Sequence, residues 1–312
     1  MLVNREIILA KEETTYNTDA APAGSSNALL VEKPAWAFDS QRMLDRPAVR
    51  TSFGKLQKVF GGTLKMISFD VEMKGSGTAG TAPEIGPLLK SCGMTETIVA
   101  VTSATYAFSS TLSDYKSLTI WYYQDGTVHK MTGCVPTSAS FNADVGSTAK
   151  WSFSFAGHDA GRTDLALATP TYTSTVPAPF IGASFTIQSY AAVISKLSLD
   201  MGLSVAKPAS VNATDGFGQL LITARAPTGS VDPQDTLIAT HDWLGKFKSG
   251  ASGTLTTGVI GSTAGNRWAI SVGKLYYDAP SPGDVSGIRT LAVPFSVTDE
   301  TTVNSDLSIA FT

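Results

Sequence analysis

The sequence is poor in the residues that most often carry chemistry. It has two cysteines and three histidines, and only 16% of its residues are charged. Two cysteines cannot build a disulfide framework, so we expect a chain that folds in a reducing cytoplasm. The histidines are scattered, and neither an HExxH motif nor a Cys/His spacing for zinc is present. We therefore predict no catalytic, cofactor-binding or metal-binding residues.

Long uninterrupted apolar segments are also missing. Near the N-terminus only Ile7 to Ala10 form an apolar run, which is too short for the core of a secretion signal. Residues 165–195 carry no charge, but Pro170, Pro177 and Pro179 interrupt them. A linker followed by a strand is the expected structure there, and no membrane segment is expected.

A strong excess of one charge is absent as well. The net charge of −3 predicts no bulk attraction to nucleic acid or to an anionic membrane. The charges are nevertheless unevenly placed, because Arg42, Arg46 and Arg50 share one stretch whereas Asp299 and Glu300 lie near the other end. Two interpretations stay open, namely solvated faces and complementary contacts between neighbouring subunits.

The chain does contain one pattern that occurs twice. Residues 63–93 read as an alternating strand, a glycine-containing loop, a short helix and a stopping glycine. Residues 218–250 repeat that order, with Pro233 expected at the start of the second helix. Two copies of one unit predict a pseudo-symmetric subunit, and such a subunit can build a ring from fewer chains than the ring has repeats.

The composition fits a folded, mainly β protein with one short helix per unit. Low charge and abundant Thr, Ser and Gly suit neutral polar surfaces that are buried in an assembly. The predicted division is an N-terminal arm plus first domain at 1–165, a linker at 166–179 and a second domain at 180–312. Residues 12–27 have almost no large apolar side chains, so we expect a mobile arm unless a partner orders it.

Two segments alternate as half-buried strands do. In residues 65–74, the apolar positions Ile67, Phe69 and Val71 alternate with polar ones, and residues 196–205 show the same period. One face of each strand should pack while the other stays wet. The wet positions are Ser68, Asp70, Glu72, Ser198 and Asp200.

Patterns that resemble enzymatic motifs lack the sequence context that such motifs require. Residues 75–80 fit GxGxxG, but the strand before them has one polar face, whereas the first strand of a dinucleotide-binding unit is buried on both faces. No GxSxG is present. Asp70 and Glu72 share a face and could pair as acid and base, although a half-buried strand produces such pairs by default.

Three stretches together resemble the major tail tube protein family of long-tailed bacteriophages. They are Arg46-Pro47-Ala48 before Phe53-Gly54, FDVEMKGSGTAGTAPEIGPLLKSCG in the first half, and GFGQLLITARAPTGSVDPQDTL with SGTLTTGVIGSTAGNRWAI in the second. The resemblance covers most of the chain and rests on segment pattern, since no catalytic motif defines the family. It implies tandem β-sandwich domains that each lend four strands to an inner barrel.

The resemblance also implies a function and partners. Six domains close a ring in this family, so a chain with two units implies three chains per ring and a pseudo-hexamer. Stacked rings would form the hollow tail tube of a virion, assembled in the host cytoplasm, through which double-stranded DNA passes without specific binding. Other partners implied are the tape measure protein, the tail terminator and baseplate or tail-tip proteins. The wet positions would face the lumen.

Competing interpretations are a carbohydrate-binding or adhesive β-sandwich, a DNA-binding module and, last, an enzyme. The first would use exposed aromatic platforms, for which Trp121, Tyr122, Tyr123, Tyr276 and Tyr277 are candidates. The second would use the basic stretch from Arg42 to Lys65 and would bind duplex DNA tightly at low salt. For the third, no residues assemble an active site.

Overall fold

A computed structural model describes residues 5–299 and 304–312, and the fold is mainly β, as predicted. The strands are β1 (Glu6–Glu12), β2 (Ala28–Leu29), β3 (Val31–Asp39), β4 (Met43–Leu44), β5 (Val59–Phe60), β6 (Leu64–Glu72), β7 (Met94–Val99), β8 (Ser103–Phe108), β9 (Leu118–Gln124), β10 (Thr127–Asp144), β11 (Lys150–Asp164), β12 (Thr186–Ile187), β13 (Lys196–Asp200), β14 (Leu203–Ala206), β15 (Leu221–Arg225), β16 (Thr228–Val231), β17 (Ser252–Thr256), β18 (Trp268–Tyr277), β19 (Ser281–Val285), β20 (Ile288–Val297) and β21 (Leu307–Phe311). The helices are α1 (Gly24–Asn27), α2 (Gly86–Ser91) and α3 (Trp243–Ser249).

Eight strands form one antiparallel sheet that crosses both halves of the chain. Its order is β3-β6-β11-β10-β13-β16-β20-β19, and every neighbouring pair is antiparallel. We call it the inner sheet. The strands curl around the core in barrel-like fashion, yet within the described residues the pairings, followed from strand to strand, never return to their start. The inner sheet of one chain therefore has two ends, β3 and β19.

A second sheet lies in the order β12-β17-β18-β21-β8-β7. Here β21, at the end of the chain, is inserted between β18 of the second half and β8 of the first half. Strand β18 also pairs with β20 and so connects this sheet to the inner one. Both sheets thus contain strands from both halves.

One hydrophobic core lies between the sheets and also belongs to both halves. Trp151 and Phe153 from the first half and Trp268 and Phe295 from the second are almost completely buried in it. The ring of Phe141 meets that of Trp268 edge-on at a centroid distance of 5.8 Å. The two halves therefore stabilise each other. The division at 1–165, 166–179 and 180–312 stays a prediction.

Each half of the chain contains one long hairpin, and the duplication inferred from the sequence repeat stays a prediction. In the first half β3 with β4 returns through β5 and β6, around residues 45–58. In the second half β13 with β14 returns through β15 and β16, around residues 207–220. The dipeptides Pro47-Ala48 and Pro208-Ala209 lie in these two hairpin loops.

Helix α2 lies within the predicted segment of residues 63–93, although it begins at Gly86, three residues after Pro83, where its start is predicted. The prediction for the second helix was wrong about the start by more. Helix α3 begins at Trp243, ten residues (243 − 233) after Pro233. The cause is local, because the Asp242 side chain accepts a hydrogen bond from the Gly245 N–H and caps the helix there. The predicted stop is confirmed: Gly250 has a left-handed backbone at φ 64°.

The expectation of a mobile arm at 12–27 was also wrong, because polar contacts hold this segment on the body of the protein. The buried Glu13 carboxylate accepts hydrogen bonds from Ser117, Thr119 and the Gly133 N–H at 2.7–2.9 Å. Tyr16 lies 2.9 Å from the His158 ring. Hydrogen bonds therefore hold this segment in place of apolar burial, and the amino-acid composition alone does not reveal such hydrogen bonds.

His241 supplies a test of how the second half is packed. Its ring stacks on Tyr190 at 4.7 Å and lies 3.2 Å from the Tyr277 hydroxyl. Burial, and then the nearby Lys246 charge, lower its pKa from 6.5 to about 4. As the pH decreases from 6.5 to 4, the unfolded chain therefore takes up a proton on this residue while the folded chain does not. The free energy of unfolding thus decreases as the pH is lowered over that range.

We expect the free energy of unfolding of the dissociated subunit to decrease more between pH 7 and pH 4 in the natural protein than in His241→Gln. The difference should be up to about 3 kcal/mol, the value of a shift of this size. Urea denaturation at both pH values measures it. Equal decreases in the two proteins would contradict the assignment.

Candidate assembly surfaces

The inner sheet has one apolar and one polar face, as the alternation predicted. On β6 the side chains of Ile67 and Phe69 are buried, whereas those of Ser68, Asp70 and Glu72 are partly exposed on the opposite face. The strand can afford polar side chains because only one of its faces covers the core.

The strand register brings the polar residues of both halves onto the same face. Ser198 lies opposite Asn142 and Ser230 in one cross-strand row. The neighbouring row runs unbroken through seven strands and consists of Glu32, Asp70, Ser152, Ser140, Asp200, Thr228 and Ser296. The five positions singled out in the sequence therefore belong to one continuous surface.

The carboxylates of this polar face carry negative charge, and nearby lysines neutralise part of it. Asp70 accepts a 2.6 Å hydrogen bond from Ser152 and lies 3.6 Å from the Lys33 ammonium. Glu32 is paired with Lys150 at 2.7 Å. These charges sit at the solvent boundary, so each pair stabilises the fold only weakly. The face is hydrated and carries hydroxyls between its charges.

The two ends of the inner sheet are the second surface. Within the described residues β3 pairs only with β6, and β19 pairs only with β20. All five residues of β19 are exposed, as are Trp36 and Phe38 on β3. Each end presents a row of backbone N–H and C=O groups on which another strand can add.

The β3 edge rests on a partly charged cluster. Trp36 packs on the His129 ring at 4.5 Å, and the buried Lys65 ammonium forms a 2.6 Å ion pair with Asp159. Burial, followed by the charges of Lys65 and Arg162, lowers the pKa of His129 to about 4. The edge strand β3 is thus supported by side chains packed beneath it, although no strand in the described part of the chain pairs with its outer side.

The charged residues that were considered for contacts between subunits have different surroundings. Arg42 donates to the Gly216 carbonyl at 3.1 Å and lies over the Phe217 ring, so it connects the two hairpins of its own chain. Arg46 and Arg50 are exposed in residues 45–58, and Asp299 is exposed as well. Glu300 lies outside the described residues.

A polar relay that sequence reasoning missed lies between the hairpins. The His158 Nδ1 is 2.5 Å from the Asp215 carboxylate and its Nε2 is 2.9 Å from the Tyr16 hydroxyl. The order Asp-His-Tyr is reminiscent of a nucleophile relay, but burial raises the pKa of Tyr16 to about 12. Its hydroxyl also accepts a hydrogen bond from the Leu220 N–H. These hydrogen bonds therefore have a structural role: they connect the N-terminal segment at Tyr16 and strand β11 at His158 to the second hairpin at Asp215 and Leu220.

The remaining candidates for ligand binding are occupied by internal contacts. Gly77 donates to the Gly265 carbonyl, and a Cβ on Gly75 would approach that carbonyl oxygen to 2.1 Å, so the GxGxxG loop packs on the second half. In the possible carbohydrate platform Tyr122, Tyr123 and Tyr277 are buried. In the described part of the chain, no three His, Cys, Asp or Glu residues are placed to hold a metal ion.

The fold and these surfaces define a class of mainly β proteins in which a broad antiparallel sheet has a polar face and, among the described residues, two unpaired edges. Comparison with protein families then gives the identity. The chain belongs to the phage tail tube protein family, whose model matches residues 4–298. The family resemblance read from the sequence is thereby confirmed.

Membership fixes the broad role. The protein is a structural component of the phage tail, a part of the virion, and its family implies self-assembly and a role other than catalysis. The comparison with curated proteins gave no match. Across residues 5–299 and 304–312, no helix combines the length and hydropathy needed to cross a bilayer.

A pair of substitutions tests which face of the inner sheet carries the stability. We expect Asp70→Asn and Asp200→Asn to change the free energy of unfolding of the dissociated subunit by less than about 1 kcal/mol, because both side chains lie on the polar face. Phe153→Ala on the opposite face should cost about 3–5 kcal/mol. Urea denaturation measures both. Similar costs on the two faces would contradict the assignment.

Proposed function

We propose that this protein polymerises as stacked rings, three chains to a ring, into the hollow tail tube through which phage DNA is ejected into the host. The observation that carries the proposal is the inner sheet, which joins two similar halves inside the chain and ends in two unpaired edges. Each half contributes four strands, β3-β6-β11-β10 and β13-β16-β20-β19, in a corresponding order. The duplication of one ancestral unit is part of the proposal.

The junction between the halves supplies a template for the junction between chains. Strand β10 of the first half pairs with β13 of the second, from Ser140 opposite Asp200 to Asp144 opposite Lys196. Strand β19 occupies in the second half the place of β10, and β3 occupies in the first half the place of β13. Pairing of β19 with β3 of the next copy would repeat the internal junction.

Strand direction permits that pairing. Seven successive antiparallel pairings separate β3 from β19, so the two edge strands run in opposite directions. Strand β19 would therefore meet the next β3 in antiparallel fashion and continue the sheet without a break. The contact is head-to-tail, and head-to-tail contacts close into rings when their rotation allows.

Three chains follow from the family's six-domain ring, since one chain supplies two such units. Closure would leave no sheet edge inside a ring, which removes the tendency of edges to pair at random. It would also cover Trp36 and Phe38, the exposed aromatic residues of β3.

In such a ring the polar face would line the lumen, with Ser68, Asp70, Glu72, Ser198 and Asp200 exposed to passing DNA. Carboxylates repel phosphates, and hydroxyls offer only weak hydrogen bonds to them. A genome could then slide without binding specifically. Assembly in the host cytoplasm, and contacts with the tape measure protein, the tail terminator and baseplate or tail-tip proteins, complete the proposal.

The head-to-tail junction is testable with one substitution on each edge. Phe38→Asp on β3 and Val285→Asp on β19 each place a charge in the junction, and we expect each to weaken ring formation at least tenfold, the effect of losing a central interface residue. Val101→Asp, which is 86% exposed at the turn between β7 and β8, is the matched control. Native mass measurement gives the ring size.

Mixing the two edge variants sharpens this test. The Phe38 variant keeps an intact β19, and the Val285 variant keeps an intact β3, so the mixture should form heterodimers but no closed rings. A symmetric contact between like edges would not give this complementation. Failure to form heterodimers, or rings of unchanged stability in both variants, would contradict the proposed junction.

The lumen assignment has its own test. We expect Asp70→Lys with Glu72→Lys to leave tubes intact and to slow DNA ejection, because ammonium groups in the lumen would attract phosphates. Asp70→Asn with Glu72→Gln, which removes charge without reversing it, should slow ejection less. Electron microscopy and the rate of DNA release from phage particles measure the two effects. Loss of rings by a normally folded Lys variant would place these residues in an interface instead.

A further inference from the structure

The edge strand β19 has few backbone donors on its outer side. The turn that joins it to β20 has positive φ at both central residues, 54° at Ser286 and 81° at Gly287. In a two-residue turn of this kind the flanking residues hydrogen-bond to each other, so the Val285 N–H points toward β20. The N–H of its neighbour Asp284 therefore points to the unpaired side of the strand.

The hydrogen bonds of β20 support this direction. Arg289 and Leu291, which lie opposite Asp284 and Pro282, direct backbone hydrogen bonds to the segment that follows β16, on the side away from β19. Residues that face each other in an antiparallel pair point their backbone groups either toward each other or both away. Asp284 and Pro282 therefore point outward, and Pro282 has no N–H. Among the described residues, the outer side of β19 presents one N–H, that of Asp284.

Strand β3 also offers only a short regular segment. Its register with β6 shifts at Lys33 and Pro34, where two residues of β3 form a bulge opposite one residue of β6. Lys33 has a left-handed backbone, with a φ of 49°, and Ser40, just after the strand, has a φ of 53°. The regular part of this edge is therefore residues 35–39.

Within that segment the backbone of Phe38 points outward. The Asp39 carbonyl accepts a hydrogen bond from the hydroxyl of Thr63, which lies next to β6. The backbone groups of successive residues in a strand point to opposite sides. Those of Phe38 therefore point to the unpaired side, as those of Asp284 do on β19.

The junction between the two halves indicates how these segments would meet. There, Asn142 of β10 lies opposite Ser198 of β13. Asn142 corresponds to Val285, because each lies opposite the first residue of the strand that returns after it. These first residues are Lys150 of β11 and Ile288 of β20. The position that corresponds to Ser198 then fixes the register of the outer junction.

That position is Ala37, by its distance along the chain. Ten residues separate Ser198 from Pro208 in the second hairpin loop (208 − 198), and ten separate Ala37 from Pro47 in the first (47 − 37). Ala37 also lies opposite Met66, a partly exposed residue of β6. It therefore belongs to the polar face of the inner sheet, as Ser198 does.

The register of the inner sheet gives the same correspondence independently. From Ala37 it leads across β6 to Ala156, which is six residues after the first residue of β11 (156 − 150). From Ser198 it leads across β16 to Pro294, which is six residues after the first residue of β20 (294 − 288). Sequence distance and sheet register therefore agree.

We propose that β19 pairs with β3 of the next copy of this chain in a single register, with Val285 opposite Ala37 and Asp284 opposite Phe38. This inference rests on the proposed ring and specifies its junction. Asp284 and Phe38, whose backbones both point outward, would exchange the hydrogen bonds of the junction. Val285 and Ala37 would form a pair without hydrogen bonds between them, with both side chains on the polar face.

Pro282 restricts the junction to this register. A slip that keeps side chains on their faces must cover two residues. In the proposed register Pro282 lies beyond Phe38, at the end of the regular segment. A slip in one direction brings Pro282 opposite Phe38, whose carbonyl then meets no N–H. A slip in the other direction brings Asp284 opposite Ser40, where the regular segment of β3 has ended.

Cysteine cross-linking tests the register. Val285→Cys is combined with Ala37→Cys and, as the slipped control, with Ala35→Cys, while the natural Cys92 and Cys134 are buried. Facing residues without hydrogen bonds between them have Cα atoms about 4.5 Å apart, and a disulfide cannot span more than about 7 Å. We therefore expect the first variant to form disulfides between chains at least about tenfold faster under mild oxidation. Denaturing gels without reductant measure the linked chains.

A second substitution tests the role of the proline. In the Ala35→Cys control, Pro282→Ala restores the N–H that the slipped register lacks, so we expect cross-linking of this control to become severalfold faster. Ser281→Ala is the matched control, because the Ser281 backbone points toward β20, and it should leave the rate unchanged. An unchanged rate with Pro282→Ala would contradict the role given to the proline.

The outcomes separate this inference from the proposed function. If native mass measurement finds no rings of the natural protein, the proposed function itself fails. If rings form and the Ala35 control cross-links as fast as the Ala37 variant or faster, the ring stands and the register is wrong. If rings form and neither variant cross-links, β19 and β3 do not meet in this way.

Discussion

The need of a sheet edge for a partner strand governs this protein. A broad antiparallel sheet can cover a core with one face and meet water with the other, but its outermost strands still carry unused backbone donors and acceptors. Many monomeric proteins shorten, charge or cover such strands. Here β19 has five exposed residues and β3 exposes two aromatic side chains. Such edges suit coverage by another copy of the chain, in keeping with the self-assembly that the family implies.

Sequence reasoning succeeded where structure is set locally. The two-residue period of residues 65–74 predicted which side chains of β6 are buried, and Gly93 and Gly250 marked the ends of two helices. It could not give the pairing of β10 with β13 or the place of β21 between β8 and β18, because such partners are chosen by the whole core. It also gave a wrong prediction for residues 12–27, because the partners of Glu13 are distant in sequence. It placed the start of α3 at Pro233, whereas the residue that caps the helix is Asp242.

The candidate surfaces show the same division. The five polar positions could be named from alternation alone, whereas their union into one face required the register of seven strands. The charge pattern was a weaker guide, because charge says nothing about partners. Arg42 is engaged with the second hairpin of its own chain, while Arg46 and Arg50 are exposed in the loop of the first hairpin, residues 45–58. A fold can use neighbouring residues of one type for quite different contacts.

If the two halves arose by the proposed duplication, the shared core explains how they could diverge without losing their common geometry. Because Phe141 and Trp268 pack across the halves and β21 crosses between them, the angle between the two units is fixed within each chain. A ring of single-unit chains must set six such angles by association, whereas a ring of three two-unit chains sets half of them during folding. In the proposed ring, the junctions inside each chain would cost no association entropy, so the junctions between chains could be weaker. Loops away from that core need not be alike in the two halves. The hairpin loop at 207–220 is bonded to Arg42 and His158 of its own chain, whereas residues 43–55 of the other hairpin are all exposed.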